Sequence, residues 1–163
     1  RPHHLESLFE AMGQAGVSID VGDNIAEIRA DGRYQAVDIE TQPHPGFPTD
    51  LQAQFMAMMC LAEGRSKISE TIFENRFMHV PELNRMGAKI KVSGNLSKID
   101  GINSLYGAEV MATDLRASVS LVLAGLIAKN KTIINRVYHL DRGYENLENK
   151  LRKCGANISR TNY

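Results

Sequence analysis

The chain has 163 residues, of which 43% are apolar and 23% charged, a composition typical of one ordinary globular domain. Nineteen basic residues balance nineteen acidic ones, so no net charge attracts nucleic acid or an acidic membrane surface. No run reaches the roughly 18 to 20 apolar residues of a membrane span, and residues 1–4 offer neither a signal-peptide core nor an initiator methionine. We therefore expect a soluble, cytoplasmic fragment that forms a single domain over residues 1–163.

The first part of the chain predicts a helix, three short strands and a stiff loop. Apolar residues at helical spacing predict a helix over residues 2–15, closed by Gly16. Alternating patterns predict strands over residues 17–21, 25–30 and 36–40, separated by turn residues that include Asp31-Gly32. Residues 42–48 hold three of the five prolines, which predicts a rigid loop that leads to Asp50.

Two apolar helices are predicted to form the core, over residues 49–62 and 117–128. Thr49 and Gln52 have the spacing of a capping box, which places the start of the first helix. Both helices are apolar nearly all round, as is typical of helices inside a domain. Further strands are predicted over residues 67–72, 89–92, 96–99, 108–112 and 131–137, and outer amphipathic helices over 76–86 and 143–154. The sequence thus predicts an α/β fold with sheets outside and apolar helices inside.

The chain repeats a supersecondary unit. Thr49-Asp50-Leu51 returns as Thr113-Asp114-Leu115, and each copy is followed by an apolar helix, a strand-like run and an arginine, first Arg76 and then Arg142. The aspartates and the arginines recur at nearly the same separation, which indicates one unit used more than once. Because the units at both ends are incomplete, we expect partner segments beyond this chain.

Three arginines are candidates for binding an anion. Arg76, Arg116 and Arg142 each fall in the first turn of a predicted helix, where a cation is unfavourable by about 0.3 to 1 kcal/mol. Backbone amides and guanidinium groups facing one carboxylate or phosphate would explain this recurrence. The alternative is ordinary surface pairing with neighbouring acidic residues, and the sequence leaves both interpretations open.

Asp50 and Asp114 each open a predicted helix, so capping explains them without any function. As a general base, such a carboxylate would have to reach a substrate hydroxyl, and the sequence does not decide between these roles. Cys60 and Cys154 are expected to be buried thiols, and the histidines and cysteines lack metal-ligand spacing. The chain has no Walker, GxGxxG or GxSxG motif, so nucleotide-hydrolase, dinucleotide-binding and serine-hydrolase functions lack support.

Four segments resemble the UDP-N-acetylglucosamine 1-carboxyvinyltransferases, a family of enolpyruvyl transferases that acts in bacterial peptidoglycan synthesis. They are PHPGFPTDLQAQ at residues 43–54, ETIFENRFMHVPEL at 70–83, MATDLRAS at 111–118 and HLDRGY at 139–144. The resemblance covers essentially the whole chain. It implies a two-domain enzyme whose domains are inside-out α/β barrels of repeated βαβαββ units, with this chain in the C-terminal, substrate-binding domain.

The resemblance also implies a reaction and a set of site residues. Phosphoenolpyruvate would be joined to the 3-hydroxyl of the UDP-sugar through a tetrahedral intermediate, with release of phosphate and with no metal or organic cofactor. Asp50 resembles the base for that hydroxyl, and Arg142 resembles a catalytic arginine near the phosphoenolpyruvate anion. The resemblance assigns substrate binding to Asp50, Ile72, Arg76, Arg116 and Asp114, with Ile72 standing where the family usually has valine.

The implied partners are UDP-N-acetylglucosamine, phosphoenolpyruvate and the missing N-terminal domain. We expect binding neither to nucleic acid nor to a membrane. The family's catalytic cysteine loop and its Lys-Asn pair belong to that other domain, so we expect this chain to be inactive by itself. Two alternatives remain. One is the sister enzyme, enolpyruvylshikimate-phosphate synthase, and the other is a non-catalytic repeat module that uses the same arginines to bind an anion or a protein.

Overall fold

The computed structural model describes residues 1–30 and 32–161. Two short 3-10 helices, Pro2–Leu5 and Thr49–Leu51, precede the first two α-helices. The α-helices of the described residues are α1 (Glu6–Gln14), α2 (Gln52–Met59), α3 (Val80–Arg85), α4 (Leu115–Ile127), α5 (Tyr138–Asp141) and α6 (Leu147–Lys153). The strands are β1 (Ser18–Val21), β2 (Ala26–Arg29), β3 (Ile39–Glu40), β4 (Arg65–Ser69), β5 (Lys89–Ser93), β6 (Leu96–Asp100), β7 (Glu109–Met111) and β8 (Ile133–Asn135).

The predicted repeat is confirmed by the pairing of the strands. β3 and β4 are parallel and joined through α2, and β7 and β8 are parallel and joined through α4, so the same βαβ crossover occurs twice. β4, β6 and β5 continue the first sheet as antiparallel neighbours in the order β3-β4-β6-β5. Residues 39–100 therefore form one complete βαβαββ unit. α1 with the β1-β2 hairpin precedes it, and β7 to α6 follow it.

The two apolar helices lie inside, as predicted. α2 and α4 pack against each other, and Met56, Met59, Leu121 and Ala124 on these helices are completely buried. Both helices contribute to one cluster that also includes residues of the four-stranded sheet, such as Ile68. The core is therefore built where the sheet covers the inner helices. No helix in the described part of the chain is long and apolar enough to cross a membrane.

The outward face of the four-stranded sheet carries a row of lysines. Lys67 on β4 lies directly opposite Lys98 on β6, and Lys98 lies directly opposite Lys91 on β5. All three are exposed, and β5 is an edge strand of this sheet. Next to this row, Arg65 and Asp100 form an exposed ion pair with 2.5 Å between Nε and Oδ1.

The outer helices are shorter than the sequence predicted. α3 begins at Val80 rather than at residue 76, with Pro81 in its first turn and Asn75 upstream at φ 56°. α6 begins only at Leu147, because Asn146 adopts φ 49°, and the unpredicted α5 occupies the preceding segment. The left-handed Asn146 lies inside the predicted helix over residues 143–154 and interrupts it, whereas the start of α3 matches Pro81, because proline is accommodated in the first turn of a helix. The predicted strand over residues 36–40 is reduced to β3, and Asp31 of the predicted turn lies outside the described residues.

Two local predictions are wrong. Thr49 and Gln52 form no capping box, because the Thr49 hydroxyl donates a hydrogen bond to Oε2 of Glu70 at 2.8 Å. Cys60 is buried as expected, and burial raises the pKa of its thiol to about 12. Cys154, by contrast, is exposed, since it ends α6 on the surface of the domain.

Candidate functional site

The candidate site is centred on Asp50, in the short 3-10 helix between the proline-rich loop and α2. The Asp50 carboxylate is 63% exposed, and its Oδ1 accepts hydrogen bonds from Nη1 of Arg76 at 3.2 Å and from Nε of Arg116. Among the described residues, Oδ2 receives no hydrogen bond from a side chain. One oxygen of Asp50 is therefore engaged by two cations, while the other remains available.

The two arginines determine the electrostatics of Asp50. The hydrogen bond from Arg116 holds the pKa of the carboxyl below its ordinary value of 3.8, and partial desolvation opposes this effect. The charge of Arg116 and the hydrogen bond and charge of Arg76 lower the pKa further. Asp50 is consequently ionised at neutral pH, and it is a weaker base while both guanidinium groups remain in contact with it.

Arg76 lies in the irregular segment between β4 and α3, and the prediction that it occupies the first turn of a helix is wrong. Its side chain is only 18% exposed, and its guanidinium carbon lies 4.1 Å from the centroid of the Phe73 ring. The turn at Asn75, with φ 56°, reverses the chain so that Phe73 and Arg76 stack on each other. This stacking directs the guanidinium of Arg76 toward Asp50.

Arg116 does lie in the first turn of a helix, as predicted, and Asp114 caps that helix. Oδ1 of Asp114 accepts hydrogen bonds from the backbone amides of Arg116 at 2.8 Å and Ala117 at 3.0 Å. The side chain of Arg116 is 35% exposed and reaches back to Asp50. The described contacts of Asp114 are thus those of a helix cap, which orients the turn that carries Arg116.

Arg142 is not paired with Asp50 in this structure. It is exposed and ends α5, so the prediction of a first-turn position is wrong for Arg142 as well. The segment that carries Arg142 nevertheless runs along the start of α4. Its next residue, Gly143, packs so closely there that an added Cβ atom would lie 2.9 Å from the side chain of Leu115. Arg142 therefore lies beside the helix turn of Arg116, and the structure does not bring its guanidinium to the carboxylate.

Ile72 lies in the turn that follows β4 and is partly exposed. Its backbone amide donates a hydrogen bond to Oε1 of Glu70 at 3.0 Å. The sequence reasoning did not assign Glu70 to the site, although this buried carboxylate contacts both Ile72 and Thr49, the neighbour of Asp50. Glu70 opens the segment 70–83 that carries the family resemblance, but the sequence did not show its contacts, because Thr49 and Glu70 are distant in sequence.

Metal binding finds no support in the described residues. No group of three or more His, Cys, Asp or Glu side chains within residues 1–30 and 32–161 lies close enough together to hold a metal ion. The charged groups of the site are the guanidinium groups of Arg76 and Arg116 and the carboxylate of Asp50. Such a set suits an anionic ligand with a nearby hydroxyl or amide, because planar guanidinium groups bind carboxylate and phosphate through paired hydrogen bonds.

Comparison with known proteins finds similarity along nearly the whole chain. The family model described as EPSP synthase (3-phosphoshikimate 1-carboxyvinyltransferase) matches residues 1–151. A UDP-N-acetylglucosamine 1-carboxyvinyltransferase of Gluconacetobacter diazotrophicus is 59% identical over 160 residues, 98% of this chain. A protein with the same description from a Jannaschia species is 62% identical over 157 residues. The chain spans 38% and 37% of the lengths of these two relatives.

Solved structures share the fold. The enolpyruvyl transferase NikO from Streptomyces tendae superposes with a TM-score of 0.87 and 31% identity, over 95% of this chain and 36% of that one. EPSP synthase from Acinetobacter baumannii gives a TM-score of 0.59 at 18% identity over 79% of this chain and 32% of its own, a likeness of fold alone. The predicted α/β fold, with repeated units around inner helices, is therefore that of the enolpyruvyl transferases.

Proposed function

Because this chain belongs to the EPSP synthase family of enolpyruvyl transferases, we propose that it is the C-terminal, substrate-binding domain of a two-domain enzyme. That enzyme would transfer the enolpyruvyl group of phosphoenolpyruvate to the 3-hydroxyl of UDP-N-acetylglucosamine and release phosphate. Support comes from relatives with this description at about 60% identity and from the share of their length that the chain spans. The remaining length would supply the N-terminal domain.

One observation carries the proposal: two arginines from different segments meet at the carboxylate of Asp50. Guanidinium groups can bind the carboxylate or phosphate of phosphoenolpyruvate, and they stabilise negative charge that develops during addition. Asp50 would accept the proton of the 3-hydroxyl as the sugar oxygen bonds to C2 of phosphoenolpyruvate, while the C2–C3 double bond breaks and C3 takes up a proton from the medium. The tetrahedral adduct would then lose a proton from C3 as the C2–O bond to phosphate breaks, which releases phosphate and forms the enol ether.

Anion binding and base strength are coupled in this arrangement. The hydrogen bonds from Arg116 and Arg76 lower the pKa of Asp50, so the carboxylate is a poor base while it holds both guanidinium groups. A phosphoenolpyruvate anion bound between the arginines would draw these hydrogen bonds away from Oδ1. The pKa of Asp50 would then rise toward its ordinary value, and the base would gain strength when both substrates are present.

Other parts of the proposal rest on family resemblance. Ile72 would contact the UDP-sugar, Asp114 would contribute to substrate binding, and Arg142 would join the phosphoenolpyruvate site after the domains close. An enzyme with this substrate would serve peptidoglycan synthesis, and with it cell shape and division, in the bacterial cytoplasm. The isolated chain, without the other domain, would not turn over substrate.

A second candidate is enolpyruvyl transfer to 3-phosphoshikimate, which the description of the matching family model favours. Phosphate release from phosphoenolpyruvate would be measured for the full-length protein that contains this chain, with each acceptor in turn. Turnover with UDP-N-acetylglucosamine alone supports our proposal, and turnover with 3-phosphoshikimate alone replaces it. Phosphate release by the isolated chain at the full-length rate would contradict the need for a second domain.

Asp50→Asn tests the proposed base, because it keeps the shape of the side chain and removes its basicity. We expect kcat to fall by about 10² to 10⁴, the usual contribution of a general base. Asp100→Asn is the matched control, since Arg65 likewise lowers the pKa of Asp100, which lies on the outer sheet. If both variants keep wild-type kcat while the enzyme is active, Asp50 is not the base.

A further inference from the structure

Glu70 is a buried carboxylate with a complete set of hydrogen-bond donors around it. It is 3% exposed and follows β4 directly. Oε1 accepts hydrogen bonds from Oγ1 of Thr41 at 2.9 Å, the amide of Ile72 at 3.0 Å and the amide of Phe73 at 3.2 Å. Oε2 accepts one from Oγ1 of Thr49 at 2.8 Å. An acidic side chain is buried at high cost unless such donors compensate it, so its environment is specifically arranged.

These contacts surround the pair of Asp50 and Arg76 from two sides. On one side, Thr49 donates a hydrogen bond from its hydroxyl to Glu70, and Thr49 is the residue directly before Asp50. Along the other side, the chain leaves Glu70, turns and brings back the guanidinium of Arg76, which bonds to Asp50. The hydrogen bonds and the intervening chain thus close a ring. Both members of the ion pair are held relative to one buried carboxylate.

We propose that Glu70 is a positioning residue that fixes Asp50 and Arg76 relative to each other, so that both face one bound ligand. This inference rests on the proposed enolpyruvyl transfer. Glu70 itself is buried, and it acts on the ion pair through Thr49, which precedes Asp50, and through Ile72 and Phe73, whose ring stacks on Arg76. Its effect is therefore on the orientation of the site, and the Thr49 hydroxyl is the point at which that effect reaches Asp50.

The test removes that single hydroxyl in the full-length protein that contains this chain. Thr49→Val replaces the hydroxyl with a methyl group, and Thr49→Ser keeps the hydroxyl and deletes the methyl group. Ser97→Ala is the matched control, because it deletes a fully buried hydroxyl that bonds to the carbonyl oxygen of Ile68 at 3.3 Å on the sheet. Thr49→Ala serves as a second variant if Thr49→Val does not fold.

For positioning, we expect Thr49→Val to lower kcat by about tenfold or more, with the KM for UDP-N-acetylglucosamine changed less than about threefold. Thr49→Ser should restore kcat to within about twofold of wild type. Ser97→Ala should lower the melting temperature comparably and leave kcat unchanged. Wild-type kcat in folded Thr49→Val, or an equal loss in Ser97→Ala, would overturn the proposal.

A second measurement does not depend on turnover. Carbon NMR titration of ¹³C-aspartate, assigned with Asp50→Asn, gives the pKa of the Asp50 carboxyl in each folded variant. In wild type the two arginines hold it below 3.8, and in Thr49→Val it should rise. An unchanged pKa would refute the role of Glu70 even if the enzyme is active. A wild-type protein without enolpyruvyl transfer would instead refute the proposed function, and a raised pKa in Thr49→Val would still support positioning by Glu70.

Discussion

The buried imidazole of His79 predicts a fold that loses stability in mild acid. His79 is 1% exposed, and its Nε2 lies 3.2 Å from Sδ of Met56 on the inner helix α2. Burial lowers the pKa of His79 from 6.5 to about 4, and the negative charge of Asp114 opposes the shift only in part. The histidine is therefore neutral in the folded protein at neutral pH, and protonation would place in the core a positive charge that Asp114 compensates only in part.

The direction and size of the effect follow from these pKa values. Unfolded chains take up a proton at His79 near pH 6.5, whereas the folded protein takes it up near pH 4, so the unfolded state binds more protons between these values. The free energy of unfolding should accordingly be fully retained above pH 6.5 and fall as the pH drops toward 4. The difference between the two pKa values corresponds to a maximal loss of about 3 kcal/mol in the free energy of unfolding. Carboxylates such as Asp100, with a pKa below 3.8, act in a lower pH range.

Urea unfolding at a series of pH values from about 7.5 to about 4.5 measures this loss. His79→Gln is the comparison, because the amide has no proton to gain in this range. We expect the wild-type free energy of unfolding to fall steeply between these pH values and the His79→Gln value to change much less. Parallel curves for the two proteins would show that His79 does not govern the acid sensitivity and would refute the reasoning.

Three further predictions concern other parts of the molecule. Arg116→Lys keeps the positive charge but loses the planar guanidinium group, so kcat/KM for phosphoenolpyruvate in the full-length enzyme should fall about tenfold, a loss of about 1.4 kcal/mol of transition-state stabilisation. An unchanged kcat/KM would contradict anion binding by Arg116. A thiol reagent should label the exposed Cys154 in the native protein and the buried Cys60 only after denaturation; mass spectrometry of the labelled peptides detects any reversal. Gly107→Ala would put a Cβ 2.2 Å from a backbone carbonyl oxygen and should lower the free energy of unfolding by about 1–3 kcal/mol, whereas Gly13→Ala, with open space on α1, should not lower it.

The sequence predicted the features that depend on local pattern or repetition. Apolar composition identified α2 and α4 as inner helices, and the repeated Thr-Asp-Leu segment predicted equivalent βαβ units. The family resemblance assigned Asp50, Arg76 and Arg116 to one substrate site, but the direct ion pairs of Asp50 with both arginines were not predicted. The predictions of the inner helices and of the repeat succeeded because each depends on residues close in sequence or on equivalent positions of two units.

The remaining features depend on contacts between distant residues or on the backbone of single residues. The Thr49 hydroxyl was assigned to a local cap, but the parallel pairing of β3 with β4 places Glu70 beside it. The left-handed conformation of Asn146 shortens α6, and no periodic pattern reveals it. Such choices are made by tertiary packing, which overrides local helix propensity.

The row formed by Lys67, Lys98 and Lys91 has a consequence for how the molecule behaves in concentrated solution. Like charges directly across neighbouring strands repel one another, at a cost of roughly 0.2–1 kcal/mol for each pair. The same repulsion acts on any foreign strand that approaches the open edge at β5, and so it opposes the growth of intermolecular sheets. Moderate salt screens the repulsion by these lysines, so added salt should make the open edge at β5 more prone to self-association.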